Sequence, residues 1–463
     1  MNLEKLFHLK ENNTTIRTEI MAGITTFMTM AYILAVNPST LTAGGAIQGM
    51  DSGAVFTATA LASAIATLLM ALFANYPFVL APGMGLNAYF AYTVVLGMGY
   101  TWQQALAAVF VEGALFIVLS LTNVREAIFN AIPMNLKYAV STGIGLFIAF
   151  IGLQNAHIAV DSATLVSMFK FSSSISDGTF KSEGITVLLA LIGIVITGIL
   201  LVKQVRGGIL WGILITWLLG ILCQFCGLYV PNPEAGFYSL LPDFSNGLSI
   251  PSMAPTFMKM DFSLITTSVL DFFVIMFSFL FVDMFDTLGT LIGVASKANM
   301  LDQDGKLPKI KGALLSDAIG TSLGAMCGTS TVTTFVESAS GVAEGGRTGL
   351  TAVVAAILFG LSLFLSPIFL AIPSFATAPA LVIVGFLMIS SITKIDFTDL
   401  TEAIPAFIAI ISMPFLYSIS EGICLGVITY VLVNLITGRA KEKKISVLMY
   451  VLAILFILKY ILI

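Results

Sequence analysis

The chain has 463 residues, of which 58% are hydrophobic and only 10% charged, and its formal net charge is −4. Soluble domains carry roughly 25% charged and 45–50% apolar residues, so this composition belongs to an integral membrane protein and excludes a soluble enzyme or binding module. The 21 basic residues form no stripe, which excludes nucleic acid as a partner.

Apolar runs of about 20 residues recur along the chain and predict helices, because lipid offers no partner for an unpaired backbone group. The expected fold class is an all-α membrane protein. The first 19 residues, MNLEKLFHLKENNTTIRTE, are polar, so no cleaved leader is expected. The apolar tracts then cover 20–42, 54–75, 78–98, 102–121, 136–155, 185–202, 208–227, 263–292, 312–327, 330–347, 350–372, 376–392, 402–418 and 420–437. These are spans 1 to 14. A last apolar tract, 445–463, either crosses the membrane or lies along its surface.

Lys and Arg set the orientation. With the N-terminus in the cytoplasm, Lys170, Lys181 and Lys259 fall in outer loops and Lys459 in the last tract, leaving seventeen of the 21 basic residues inside. Two internal echoes follow. AIATLLMAL (64–72, span 2) resembles AIGTSLGAM (318–326, span 9), and RGGILWGILITWLLGIL (206–222, span 7) resembles SEGICLGVITYVLVNLI (420–436, span 14). Both pairs are seven spans apart. Seven is odd, so the second half enters the membrane upside down: a 7+7 inverted repeat, the sequence signature of a secondary transporter with its site at the midplane.

Spans 3 and 10 break the helical pattern. Span 3 contains YPFVLAPGMGLNAYFAYT, in which Pro77 and Pro82 block helix and Gly83 and Gly85 loosen the backbone before a helix starting near Asn87. Span 10 opens with TSTVTTF, β-branched and aromatic, and then loosens at Gly341, Gly345 and Gly346. Each is expected to be half extended and half helical. Backbone of that kind is tolerable at membrane depth only where it lines a cavity or pairs with itself.

The carboxylates gather around these breaks. In span 8, FLFVDMFDTLGTLIG places Asp283, Asp286 and Thr290 on one helix face. Each acid at the bilayer centre costs about 2.5–3.5 kcal/mol, and Asp317 in span 9 and Glu337 in span 10 add to the total. No basic residue lies at that depth to neutralise them, so they read as functional. A low dielectric disfavours the charged form of any carboxylate, which suits both proton coupling and hydrogen bonding to a neutral polar substrate. Glu112 in span 4 reads as a helix-to-helix hydrogen bond, and Glu344 with Arg347 as a local pair or gate. The C-x-x-C of Cys223 and Cys226 lies in an apolar span without a second ligand pair, and His8 and His157 sit outside the spans, so neither metal nor cofactor is expected. No G-x-x-x-x-G-K occurs, which excludes a phosphate cradle of that type.

TTFMTMAYILAVNP (25–38), APGMGLNAYF (81–90), FVDMFDTLGT (281–290), SDAIGTSLGAMCGTSTVTTFVESASGVAEGGRTG (316–349) and DLTEAIPAFIAIISMPFLYSISEGI (399–423) resemble the adenine–guanine–hypoxanthine permeases. This AzgA-like branch is related to the nucleobase–ascorbate transporters. The resemblance covers nearly the whole chain. It implies a core domain of spans 1–4 and 8–11 (residues 1–122 and 262–373) and a gate domain of spans 5–7 and 12–14 (123–261 and 374–463, including the last tract). Short strands in spans 3 and 10 would pair, with the substrate between them.

The family's span 8 acid matches Asp286, with Asp283 one turn away. Its span 10 acid matches Glu337, the Gly and Asn of its span 3 motif match Gly85 and Asn87, and the wider superfamily's span 9 acid matches Asp317. Thr334 and Phe335 complete the expected substrate set, and Asp283, Asp286, Asp317 and Glu337 the proton-coupling set. The stretch ESASG (337–341) is one residue longer than the superfamily's N-x-G pattern. The implied activity is proton symport of purine bases, guanine and hypoxanthine with adenine also open, into a bacterial cell across its cytoplasmic membrane. The partners are then the purine base, the proton and lipid, with a homodimer left open. A stacking aromatic is expected among Phe27, Tyr32, Phe90 and Phe335. The rivals are an anion carrier of the same fold and a uracil or xanthine permease.

Overall fold

A computed structural model describes residues 3–121, 133–162, 165–232, 236–245, 247–297, 300 and 307–462. Arg125 and Lys306, two of the seventeen basic residues assigned to the cytoplasmic side, lie outside these. Each of the fourteen tracts is helical over all or part of its length. Nine of the described helical stretches are long and apolar enough to cross a membrane.

Several spans start on a polar cap that occupies an otherwise orphaned backbone N–H. Thr15 caps Ile16–Met30 by accepting from Thr18 N–H, Asp51 caps Ser52–Phe73 through Ala54 N–H, and Asp399 caps Leu400–Phe415 through Thr401 N–H. Span 1 is divided: Ile16–Met30 and Ile33–Leu41 meet at Ala31 and Tyr32, where Leu34 N–H and Ala35 N–H reach back only three residues. Glu19 in its first turn is fully buried, and its carboxylate accepts from the N–H groups of Arg347, Thr348 and Thr351. A charge sequestered in this way sits at the N-terminus of Gly349–Ser362, where backbone donors and the helix dipole favour it.

The helices pack in two groups. In one, Ser52–Phe73 lies against Ile310–Cys327 and Gly349–Ser362, Ile16–Met30 against Gly349–Ser362, and Trp102–Leu121 against Ile310–Cys327 and Val269–Lys297. In the other, Met134–Asn155 lies against Ser374–Ile389 and Leu400–Phe415, and Ile185–Val202 against Gly208–Phe225 and Ser374–Ile389.

Spans 3 and 10 hold strands β1 (Leu80–Pro82) and β4 (Val332–Thr334), which pair antiparallel with Leu80 opposite Thr334 and Ala81 opposite Thr333. A second pair, β2 (Ala159–Ser162) and β3 (Leu165–Met168), is a hairpin between spans 5 and 6. The helix of span 3 starts at Met84, three residues before Asn87, and continues through widened turns over Tyr89–Gly97. The helix of span 10 is short, Ser338–Ala343. The last tract forms Val447–Leu462, which packs on Ile419–Ile436 and Val269–Lys297. Its Tyr460 hydroxyl reaches Glu421 in the first turn of span 14, so it runs back antiparallel along that span.

Candidate functional site

The site is built where the two strands meet. The β1–β4 ladder is extended at both ends, by Gly83 N–H to Thr331 O at 3.0 Å and Phe335 N–H to Val79 O at 3.0 Å. Side chains take up backbone groups that the ladder leaves over. Leu80 N–H donates to Thr67 Oγ1 and Val79 N–H to Ser338 Oγ, both at 3.0 Å. The extended segment is thereby satisfied inside the bundle, as the absence of water requires.

Around the strands stand five carboxylates in two sets. Asp286 in the middle of span 8 and Glu337, immediately before the short helix of span 10, both keep part of their surface accessible. Asp283, Asp317 and Glu112 are fully buried. Tyr32, at the break in span 1, donates its hydroxyl to Glu337 Oε1 at 2.9 Å. Of the four aromatic candidates it is the one tied to a site acid. Phe27 packs edge-on against Phe359 at 5.2 Å, and Phe90 and Phe335 are buried.

The span 3 residues divide by direction. A Cβ on Gly83 would lie 2.7 Å from Thr333 Cγ2 and 3.8 Å from Asp286 Oδ2, so this position faces β4 and the accessible acids. A Cβ on Gly85 would lie 2.7 Å from Ile144 Cγ2, against span 5. Asn87 is fully buried. It accepts from the Ser330 hydroxyl and donates to Pro82 O at 3.4 Å, fastening the turn from strand into helix. Thr334, also buried, gives its N–H to Asp317 Oδ1 at 3.1 Å. The structure thus gathers Asp286 and Glu337 at an accessible surface, with Asp283, Asp317, Thr334 and Asn87 behind them.

Sequence reasoning placed Gly83 at the break in span 3 but not in the substrate set, and it missed Thr287, whose i+4 spacing from Asp283 places it on the same face. At the far end of span 10, Glu344 pairs with Arg206 of the span 7 approach, while Arg347 Nη1 donates to Val342 O and Gly346 O. The expected local pair is therefore replaced by a contact between the two helix groups. Cys223 and Cys226 carry no disulfide, and no group of potential metal ligands occurs among the described residues.

The permease family Xan_ur_permease matches residues 17–455. The chain belongs to this family. The permease is 45% identical to the guanine/hypoxanthine permease PbuO of Bacillus subtilis (strain 168), over 98% of its own length and 99% of that protein's. It is 42% identical to the adenine permease AdeP of Escherichia coli (strain K12), over 99% and 95%. Among solved structures, the transmembrane domain of the cyanobacterial bicarbonate transporter BicA matches with a TM-score of 0.62 at 14% identity, over 89% of the permease and 97% of that chain. At that identity the likeness defines the fold alone: the permease is a multi-pass helical membrane protein of this architecture.

Proposed function

We propose that the permease imports purine bases by proton symport, binding the base between β1 and β4 against Asp286 and Glu337. The observation that carries this reading is the pair of accessible acids beside the strand pair, in a chain similar to guanine/hypoxanthine and adenine permeases. A purine presents ring N–H and exocyclic amino donors along one edge, which carboxylate oxygens accept. Its flat faces need close backbone approach, which Gly83 supplies. The two packing groups of helices serve as core and gate, and the core moves against the gate to expose the strands to either side. The antiparallel pairing of strands from spans seven apart supports an inverted repeat. The N-terminus lies in the cytoplasm on the bias of basic residues.

The test is uptake of labelled hypoxanthine in a strain lacking its own purine transport, competed by unlabelled guanine, adenine, xanthine, uracil and bicarbonate. Competition by guanine or adenine, uptake that rises as external pH falls from about 8 to 6, collapse with a protonophore and indifference to choline in place of Na⁺ are expected. Uptake that requires Na⁺ and survives the protonophore overturns the coupling. Competition by bicarbonate and not by purines overturns the substrate.

A further inference from the structure

The helix-to-helix hydrogen bond expected of Glu112 runs to another acid. Glu112 sits at the middle of Trp102–Leu121, fully buried, and its carboxyl is in hydrogen-bonding contact with that of Asp283 on span 8. Its Oε2 is 3.4 Å from the Thr331 hydroxyl, while no N–H or O–H donates to Oε1. Two ionised carboxylates are acceptors only and cannot bond to each other, so this contact requires one proton between them.

A second set of distances also requires a proton among the buried acids. The Thr287 hydroxyl has one hydrogen and three oxygen neighbours: Asp317 Oδ2 at 2.9 Å, Thr333 Oγ1 at 2.7 Å and Asp283 Oδ1 at 3.1 Å. Asp317 also accepts from Thr334 N–H, at its other oxygen Oδ1. With one hydrogen to give, Thr287 can donate to only one of the two acids while it accepts from Thr333. The contact with the other acid is good only when that acid donates, so the buried set of Glu112, Asp283 and Asp317 holds a proton.

Spans 8 and 9 and the helix of span 3 pack against Trp102–Leu121. They present Asp283 and Asp317, whereas Tyr89 faces Phe279 and Tyr92 bonds to Asn155. The basic residues on these helices are Lys297, the last residue of span 8, and Lys311, exposed in the first turn of span 9.

We propose that Glu112 and Asp283 together hold the transported proton, in a buried store separate from the substrate-facing acids. Asp283 lies one helical turn from Asp286, so the occupancy of the store sets the charge that Asp286 meets. Thr287 links the store to Thr333 on β4, so it also reports to the strand that lines the substrate. The inference rests on the proton-symport reading above.

The test uses the full-length protein in liposomes with hypoxanthine as probe. Glu112→Gln keeps the hydrogen-bonding shape, so a merely structural role predicts no change. The store predicts that hypoxanthine exchange persists without a gradient, accumulation driven by a proton gradient falls to the equilibrium ratio, the pH dependence of hypoxanthine affinity is lost, and the infrared carbonyl band of a protonated carboxylic acid disappears. Wild-type accumulation and pH dependence in Glu112→Gln, or a retained band, overturns the store, as does loss of exchange in properly inserted protein. Should that variant fail to insert, Asp283→Asn is read for the same band from the other side of the pair. A wild type indifferent to the proton gradient overturns the symport reading, while loss of the band in Glu112→Gln would still support the shared proton.

Discussion

Asp286 and Glu337 differ from the other three acids in one measurable respect, accessible surface, and their proposed roles follow from it. Asp286→Asn or Glu337→Gln replaces an acceptor oxygen by a donor amide and is expected to abolish saturable hypoxanthine uptake with normal protein in the membrane. Near wild-type uptake in both variants would remove them from the site. Tyr32 does not need to touch substrate to matter, because its hydroxyl holds Glu337 Oε1 at 2.9 Å. A hydrogen bond to a charged group contributes about 1.5–3 kcal/mol. Tyr32→Phe should therefore raise the hypoxanthine KM by roughly ten- to a hundredfold, and an unchanged KM would show that Glu337 is positioned by other contacts.

At the scale of elements, the strand pair and the helix that follows it impose different demands on two glycines. Gly83 packs on Thr333 of β4 beside Asp286, and Gly85 packs on Ile144 of span 5. A side chain at Gly83 obstructs the proposed substrate position between the strands, so Gly83→Val should eliminate binding. A side chain at Gly85 wedges one packing group against the other. Gly85→Ala should slow transport with little loss of affinity, and Ile144→Ala in the same chain should restore the rate by vacating the space. Equilibrium binding beside initial-rate uptake separates the two; rescue of Gly83→Val by Ile144→Ala would contradict the assignment.

Across the whole molecule, an ion pair joins the two helix groups that the proposed mechanism moves against each other. Arg206 and Glu344 connect the approach to span 7 with the end of span 10, and the arginine is 62% exposed. An exposed pair contributes about 0–1 kcal/mol, so Glu344→Gln should shift the balance between closed and open forms by no more than about fivefold, and the exchanged pair Arg206→Glu with Glu344→Arg should reverse it. Substrate efflux rates measure this shift. Near the end of span 14, Lys443 bonds to Asp399 at 2.5 Å and to Glu402 at 3.2 Å, fastening the segment that leads into the last helix.

The hydrogen bond from Lys443, with that from Thr401, pulls the Asp399 carboxyl down from 3.8 to about 2. The bond to Asp399 pushes the Lys443 ammonium above its ordinary 10.5. A depressed carboxylate contributes above its ordinary value and is lost only as pH falls through the folded value. A raised ammonium contributes fully below its ordinary value and is lost only as pH rises through the raised folded value. Between about pH 5 and 9 this latch therefore stays charged and cannot supply the pH dependence of uptake. Lys443→Ala should increase protease sensitivity of the C-terminal segment yet leave the shape of the pH–uptake profile unaltered; a displaced midpoint would implicate the latch in coupling.

The sequence alone determined the features that lipid enforces locally. Apolar length sets the spans, prolines and β-branched residues break spans 3 and 10, and acids at membrane depth mark the candidate site. Each depends on neighbours within one or two helical turns, or on depth in the bilayer, and can be read from a linear chain. The tertiary structure decided what direction and distance control. It divides GMG into a site-facing Gly83 and a helix-facing Gly85, because side-chain direction at a strand-to-helix junction depends on backbone angles that composition does not set. It separates the acids into an accessible pair and a buried set and brings Glu112 to Asp283 from a helix about 170 residues away. It turns Glu344 from Arg347 to Arg206. Partners this remote leave no periodic trace, since a buried acid's neighbour is chosen by packing across the bundle and not by spacing along one helix.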